Sequence, residues 1–117
     1  MLTTVREKDD VRFVECAGQL ERAGDANDLI SACVENQAPR LLLHAQWLPP
    51  AFFDLRSGMA GEVIQKLANY RIRTAAVIPP DPAHSDRFRE FLLEARKGSS
   101  FRVFDAEEEA VLWLAGA

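Results

Sequence analysis

The run Leu41-Leu42-Leu43-His44 decides the fold of this 117-residue chain. Three consecutive leucines leave no polar position that could face solvent, so the run predicts a strand covered on both faces, as in a parallel α/β sheet. Residues 74–78 form a second strand of this kind, ended by Pro79-Pro80-Asp81-Pro82. The two buried-type strands predict an α/β protein with the segment between them at its centre.

Apolar residues at helical spacing predict four helices around these strands. Three of them begin after residues that cap helices. These are Asp25, which pairs with Asp28 in a weak capping box, Ser85, and Asp105 with Glu108. The remaining helix directly follows the central segment. Each connection is short, which favours neighbouring strands packed against their own crossover helices.

Two short strands precede the first helix, and a further strand lies near the carboxyl end. The first two are predicted over 2–7 and 11–16, separated by the polar turn Lys8-Asp9-Asp10, and the last over 101–104. The predicted order is β-β-α-β-α-β-α-β-α. It describes one α/β domain over residues 1–117 with a mixed, mainly parallel sheet of about five strands and helices covering it.

Charge and hydrophobicity exclude several classes of partner. Fourteen basic and eighteen acidic residues give a net charge of −4, which argues against a nucleic-acid surface. No apolar run approaches the roughly 20 residues that span a bilayer, and residues 1–7 lack the pattern of a signal peptide. We therefore expect a cytoplasmic protein with neither nucleic-acid nor membrane partners.

The pattern of cysteine and histidine residues predicts neither a metal site nor a cofactor. Cys16 and Cys33 lie in apolar contexts without a CxxC motif, which is typical of reduced, buried thiols. His44 and His84 are far apart in sequence and no carboxylate clusters beside either one. His44, at the end of a strand, is interpreted as a hydrogen-bonded structural residue rather than a general base.

The central segment Phe52-Phe53-Asp54-Leu55-Arg56-Ser57-Gly58-Met59-Ala60-Gly61-Glu62 holds most of the candidate site residues. It lies between a strand and a helix, where α/β proteins place binding groups. The candidates for ligand or partner binding are Phe53, Asp54, Arg56, Ser57, Gly58, Gly61 and Glu62, with Asn69, Tyr70 and Arg71 at the end of the following helix.

Each candidate also has a structural interpretation. Ser57 before a glycine is typical of a helix cap, and Gly58 and Gly61 are typical of close helix–sheet packing. Phe52 and Phe53 are core or anchoring residues unless one is exposed, in which case it belongs to an interaction surface. The functional alternative is an anion held by the guanidinium of Arg56 and the N–H groups of the first helical turn.

Other roles in the central segment stay open in the same way. The Asp54 side chain either caps the next turn or pairs with Arg56 or Arg71. Residues 69–71 form either a helix cap with a packed ring or a polar cluster that meets the loop of a second subunit. Ser57, His44 and Asp54 could be assembled into a nucleophile, base and acid, but nothing in their spacing requires it. The sequence therefore predicts no catalytic residues.

Three stretches of the chain resemble a bacterial family known as domain of unknown function 4180. The central one consists of Phe52-Phe53-Asp54-Leu55, then residues 58–66, then Asn69-Tyr70-Arg71. The others are Asp25-Ala26-Asn27-Asp28-Leu29 with Cys33, and Arg89-Glu90-Phe91 with Glu94 and Lys97-Gly98. The resemblance covers essentially the whole chain. It implies a small bacterial α/β protein and no particular activity.

A more distant similarity is to STAS domains, found in anti-sigma-factor antagonists and sulphate transporters. Their element order is similar, and their loop Asp-Ser-Ser-Gly begins a helix where this chain has Asp54-Leu55-Arg56-Ser57-Gly58, one residue longer. In the antagonists the loop serine is phosphorylated by the partner kinase. The resemblance implies that Ser57 is the candidate phosphorylation site.

Two hypotheses for function follow from the sequence. The first is a non-enzymatic interaction or regulatory domain that binds an unidentified protein, or a second copy of itself, through the 52–62 loop and the next helix. The alternative is a binder or enzyme for a small anionic ligand at the same loop.

Overall fold

The computed structural model describes residues 3–116, and its five strands form one sheet in which neighbours follow chain order. The strands are β1 Thr3–Lys8, β2 Val11–Cys16, β3 Arg40–His44, β4 Arg73–Val77 and β5 Phe101–Phe104. β1 and β2 pair antiparallel and every later pair is parallel. The predicted mixed, mainly parallel α/β sheet is confirmed. Leu2, the first residue of the predicted hairpin, lies outside the described residues.

The four predicted helices are present, together with a short one that the sequence did not predict. They are α1 Ala26–Glu35, α2 Pro50–Phe53, α3 Met59–Asn69, α4 Asp86–Ala95 and α5 Glu107–Ala115. The pair Pro49-Pro50 would forbid a helix that continued into it from before, but it does not prevent a helix from beginning there. Pro50 is the first residue of α2, a position where the missing N–H costs no hydrogen bond and the fixed φ of proline suits the helix.

Three helices cover one face of the sheet and a single helix covers the other. Successive parallel strands joined by right-handed crossovers place their helices on the same side. α1, α3 and α4 pack with Leu41 and Leu43 on what we call the three-helix face, whereas α5 packs with Leu42 on the α5 face. All three leucines have 0% of their surface exposed, which confirms a strand covered on both faces.

This order of strands decides where a site can lie. Because the sheet never reverses its order, it has no switch point of the kind that forms a ligand crevice in doubly wound sheets. The carboxyl ends of the parallel strands, at Cys16, His44, Val77 and Phe104, still meet at one edge, which we call the carboxyl edge.

The predicted N-cap position was right at two helices and wrong at the third. The Ser85 hydroxyl accepts a hydrogen bond from the Phe88 N–H at 3.1 Å, as expected. Asp25 is the N-cap residue of α1, as predicted, but its side chain makes no capping hydrogen bond within residues 3–116. Its carboxylate instead accepts from the N–H groups of Glu21 and Arg22, at 2.9 and 3.2 Å, and these hydrogen bonds lower the pKa of Asp25.

The helix α5 begins one residue later than the sequence predicted. Ala106, and not Asp105, is the residue that precedes it, and no side chain in the described part of the chain caps its first turn. Asp105 forms an ion pair with Arg96, the residue after α4, so the expected pairing of Asp105 with Glu108 was wrong. The acidic first turn of α5 supplies favourable charge at the positive end of the helix.

Both cysteines are buried and form no disulfide bond, as the sequence predicted. Burial raises the pKa of the Cys33 thiol to about 12, so the group stays protonated at neutral pH. Within residues 3–116, no helix has the length and apolar character needed to cross a membrane.

Candidate functional site

The central segment lies at the carboxyl edge on the three-helix face and is anchored by two aromatic rings. Phe52 is fully buried in the core. The Phe53 ring is half-buried, with its centroid 5.7 Å from the imidazole of His84 and 5.2 Å from the ring of Phe88. Both phenylalanines therefore act as anchors that hold the loop against α4 and the loop before it.

The polar side chains of this segment contact one another and the local backbone. The Asp54 carboxylate accepts from the Arg56 N–H at 3.1 Å and pairs with the Arg56 guanidinium at 3.5 Å. The Ser57 hydroxyl donates to the Ala51 carbonyl at 2.5 Å and accepts from the Met59 N–H at 3.2 Å. These contacts are those of turn and cap residues, in line with the structural interpretation of Asp54 and Ser57.

We expected the two glycines of the loop to serve close helix–sheet packing, and this was wrong. A Cβ atom at either Gly58 or Gly61 would meet nothing within 4 Å. Gly58 is required for a different reason, because its φ of +79° lies in the left-handed region that other residues adopt at a cost. Gly61 and the exposed Glu62 lie on the open side of the first turn of α3.

The candidates at the carboxyl end of α3, residues 69–71, are not brought to the loop. The eleven residues of α3 separate them by roughly 16 Å of helix. Asn69 accepts a hydrogen bond from Gln65 at 2.8 Å. Tyr70 is 63% exposed, so the alternative of a packed ring was wrong, and Arg71 has a φ of +56° just past the helix.

A groove adjoins the central segment along α4, and we call it the α4 groove. Its volume is about 460 Å³. It is lined by the loop before α4 and by one stripe of that helix: Pro80, Asp81, Pro82, His84, Arg89, Leu92, Leu93 and Arg96. Leu93 is 63% exposed, and His84, which stacks on Phe53, belongs to both the groove and the anchor of the central segment. His84 thus links the groove to the anchor of the loop.

On the α5 face, four ionisable side chains meet at the carboxyl edge, and we call them the His44 cluster. The Nε2 atom of His44 lies 2.6 Å from a carboxylate oxygen of Glu15 and 3.6 Å from one of Glu107. The Arg6 guanidinium lies 3.3 and 3.4 Å from the same two carboxylates. The expectation that no carboxylate clusters beside a histidine was wrong, because Glu15 and Glu107 come from distant parts of the chain.

Three arginines occupy the opposite edge of the α5 face. Arg40 and Arg73 donate to the Leu114 and Trp113 carbonyls, both at 2.9 Å, and the Arg73 guanidinium stacks 3.8 Å from the centre of the Trp113 ring. The pKa of Arg73 is lowered mainly by burial and to a lesser extent by the charges of Arg40 and Arg102. Positive charge at the carboxyl end of α5 complements the helix dipole, so these arginines hold α5 on the sheet.

The sequence of residues 7–114 matches the family described as Domain of unknown function (DUF4180). The chain belongs to the DUF4180 family. No curated protein matches it. The description assigns this family no activity, so a function has to be argued from the geometry of the two surfaces at the carboxyl edge. The similarity to STAS domains stays a prediction.

Proposed function

We propose that this DUF4180 chain is a non-enzymatic protein-interaction domain with a regulatory role. Its binding surface combines the 52–62 loop and the start of α3 with the α4 groove. The observation that carries the proposal is the exposed Leu93 in a groove that shares His84 with the anchor of the loop. An apolar groove bordered by charged residues is typical of a surface that receives a partner side chain.

The charges around the groove indicate the chemistry of the partner. Arg56 is paired with Asp54 at 3.5 Å and Arg89 with Asp86 at 3.0 Å, and all four side chains are largely exposed. Exposed pairs of this kind contribute little free energy, so a partner carboxylate can replace the internal one. We infer a partner segment with an apolar side chain for the groove and an acidic residue beside it.

A non-enzymatic role is supported by the surroundings of Ser57. Its hydroxyl contacts two backbone groups, and within residues 3–116 it makes no hydrogen bond to an imidazole or a carboxylate. A serine nucleophile needs an adjacent base that removes its proton.

Capture of a stoichiometric partner from native cell extract tests the proposal when two variants are compared. Leu93→Asp puts a charge in the α4 groove, and we expect it to abolish capture. Leu112→Asp is the matched control, because Leu112 is 59% exposed but lies on α5, on the opposite face of the sheet. Equal capture by the two variants would contradict the proposed surface. Light scattering over a dilution series identifies a second copy of the chain as the partner.

Regulation by phosphorylation of Ser57 can be tested with the same assay. A phosphate on this exposed hydroxyl would remove its hydrogen bond to the Ala51 carbonyl and add negative charge beside Asp54. We expect Ser57→Asp to release the partner and Ser57→Ala to retain it. Retention by both variants would remove phosphorylation from the proposal while leaving the binding surface in place.

The alternative function is binding of a small anion at the same loop. The open first turn of α3 favours it, since nothing lies within 4 Å of a Cβ at Gly61. Thermal-shift measurements with nucleotides, sugar phosphates and carboxylates would show a rise in Tm that Arg56→Gln abolishes. A flat response at millimolar ligand would exclude this alternative.

A further inference from the structure

We propose that Glu15, His44 and Glu107 bind a divalent transition-metal ion, a site separate from the proposed interaction surface. The three residues come from β2, β3 and the first turn of α5. One carboxylate oxygen of each glutamate and one ring nitrogen of the histidine all lie within 4.8 Å of one another. A mixed set of carboxylate oxygens and an imidazole nitrogen suits zinc, cobalt or nickel better than magnesium or calcium.

The distances from the His44 ring nitrogen to the two carboxylates are close to those between ligand atoms around a metal ion. Ligand atoms bound tetrahedrally at 2.0–2.1 Å lie roughly 3.3 Å apart. His44 Nε2 is 2.6 Å from Glu15 and 3.6 Å from Glu107, so each distance would change by less than about 1 Å. Glutamate side chains accommodate such a change through their own torsions.

The charge of the His44 cluster also favours a cation. Two carboxylates face a single guanidinium, which leaves an excess negative charge beside His44. Arg6 contacts the Oε2 atom of Glu107, whereas the Oε1 atom of the same carboxylate faces His44. At Glu107, Arg6 can therefore remain as an outer-shell partner that orients the carboxylate, the role that second-shell groups have at metal sites. At Glu15, Arg6 contacts Oε2, the same atom that faces His44.

The site has an entry path. A groove of about 380 Å³ between β1 and α5 opens beside it and is lined by Arg6, Lys8, Glu107, Glu108, Val111 and Leu112. Three protein ligands leave at least one position of a tetrahedral ion free. The groove gives solvent or a small ligand access to that position.

A cobalt titration of the untagged protein tests the proposal. We expect calorimetry to show one Co²⁺ per chain, visible absorption bands of a bound ion, and a rise in Tm. His44→Gln and Glu107→Gln should each weaken binding at least tenfold. His84→Gln is the matched control, because it removes the other histidine of the chain, which lies on the opposite face of the sheet, and it should leave binding unchanged.

Three results would overturn the proposal. They are no Co²⁺ uptake at millimolar concentration, equal affinity in the wild type and both cluster variants, and intense thiolate absorption that assigns the ion to a cysteine. Circular dichroism verifies that each variant folds. If His44→Gln does not fold, Glu107→Gln decides alone, because its side chain is 45% exposed.

Discussion

The two surfaces at the carboxyl edge are built in opposite ways. In the 52–62 loop, hydrogen bonds of the polar side chains join residues two to six positions apart. In the His44 cluster, the contacts join residues 9, 29 and 101 positions apart. The loop is a local structure held by its anchors, whereas the cluster exists only when the sheet and α5 are assembled.

The largest expected effect is the loss of the loop's anchor. Phe52→Ala empties a fully buried position and should lower the free energy of unfolding by about 3–5 kcal/mol. Leu93→Ala, at a 63% exposed position in the same region, should change it by less than about 0.5 kcal/mol. Urea denaturation measures both. A cost below about 1 kcal/mol for Phe52→Ala would show that the loop is not anchored as described.

The two glycines of the loop should respond with opposite signs. Gly58→Ala forces an alanine to a φ of +79° and should cost about 1–2 kcal/mol. Gly61→Ala lies within α3 with open space around the new Cβ, and should stabilise by about 0.5–1 kcal/mol. Thermal unfolding of the pair provides the measurement. Destabilisation by both substitutions would indicate that Gly61 does pack closely.

The Ser57 hydroxyl should contribute a smaller amount. Ser57→Ala removes the hydrogen bonds to the Ala51 carbonyl and the Met59 N–H, and we expect a loss of about 1 kcal/mol, typical of a helix cap. Ser57→Thr keeps the hydroxyl and is the control. If both variants were as stable as the wild type, the hydroxyl would have no capping role.

Much of the fold could be predicted because its signals are local. Leu41–Leu43 has no polar alternation, which only a strand covered on both faces tolerates. Ser85 caps a helix through an N–H three residues away. Asp25 and Asp105 carry the same capping signal, yet their carboxylates bond elsewhere, because an earlier turn and Arg96 compete for them. Short-range propensity does not show such competition.

Only those parts of the candidate site that depend on residues close together in sequence could be predicted. The positions of Asp54 and Ser57 in turns follow from their neighbours in sequence. Nothing in the sequence around Glu15 or Glu107 distinguishes them from the other glutamates of the chain. Their meeting with His44 depends on strand register and on α5 crossing the sheet, and these are properties of the whole fold. A single sequence without known register therefore could not reveal the cluster.

The smallest expected effect concerns the cluster itself. Glu107→Gln weakens two contacts, at 3.4 and 3.6 Å, of a side chain that is 45% exposed. Exposed ion pairs contribute about 0–1 kcal/mol to the free energy of unfolding. The acidic side chains in the first turn of α5 add a favourable interaction with the helix dipole. Glu108→Gln is the matched control, since Glu108 lies in the same turn and forms no ion pair within residues 3–116.

We expect the two variants to agree within about 0.5 kcal/mol in urea denaturation, because they share the interaction with the helix dipole and the cluster's exposed pairs add little. Such agreement would show that the four side chains of the His44 cluster contribute little to stability, unlike the contacts of the loop. If Glu107→Gln alone lowered the free energy of unfolding by more than about 2 kcal/mol, the cluster would instead have a structural role. It would then stabilise the contact of α5 with β1, β2 and β3.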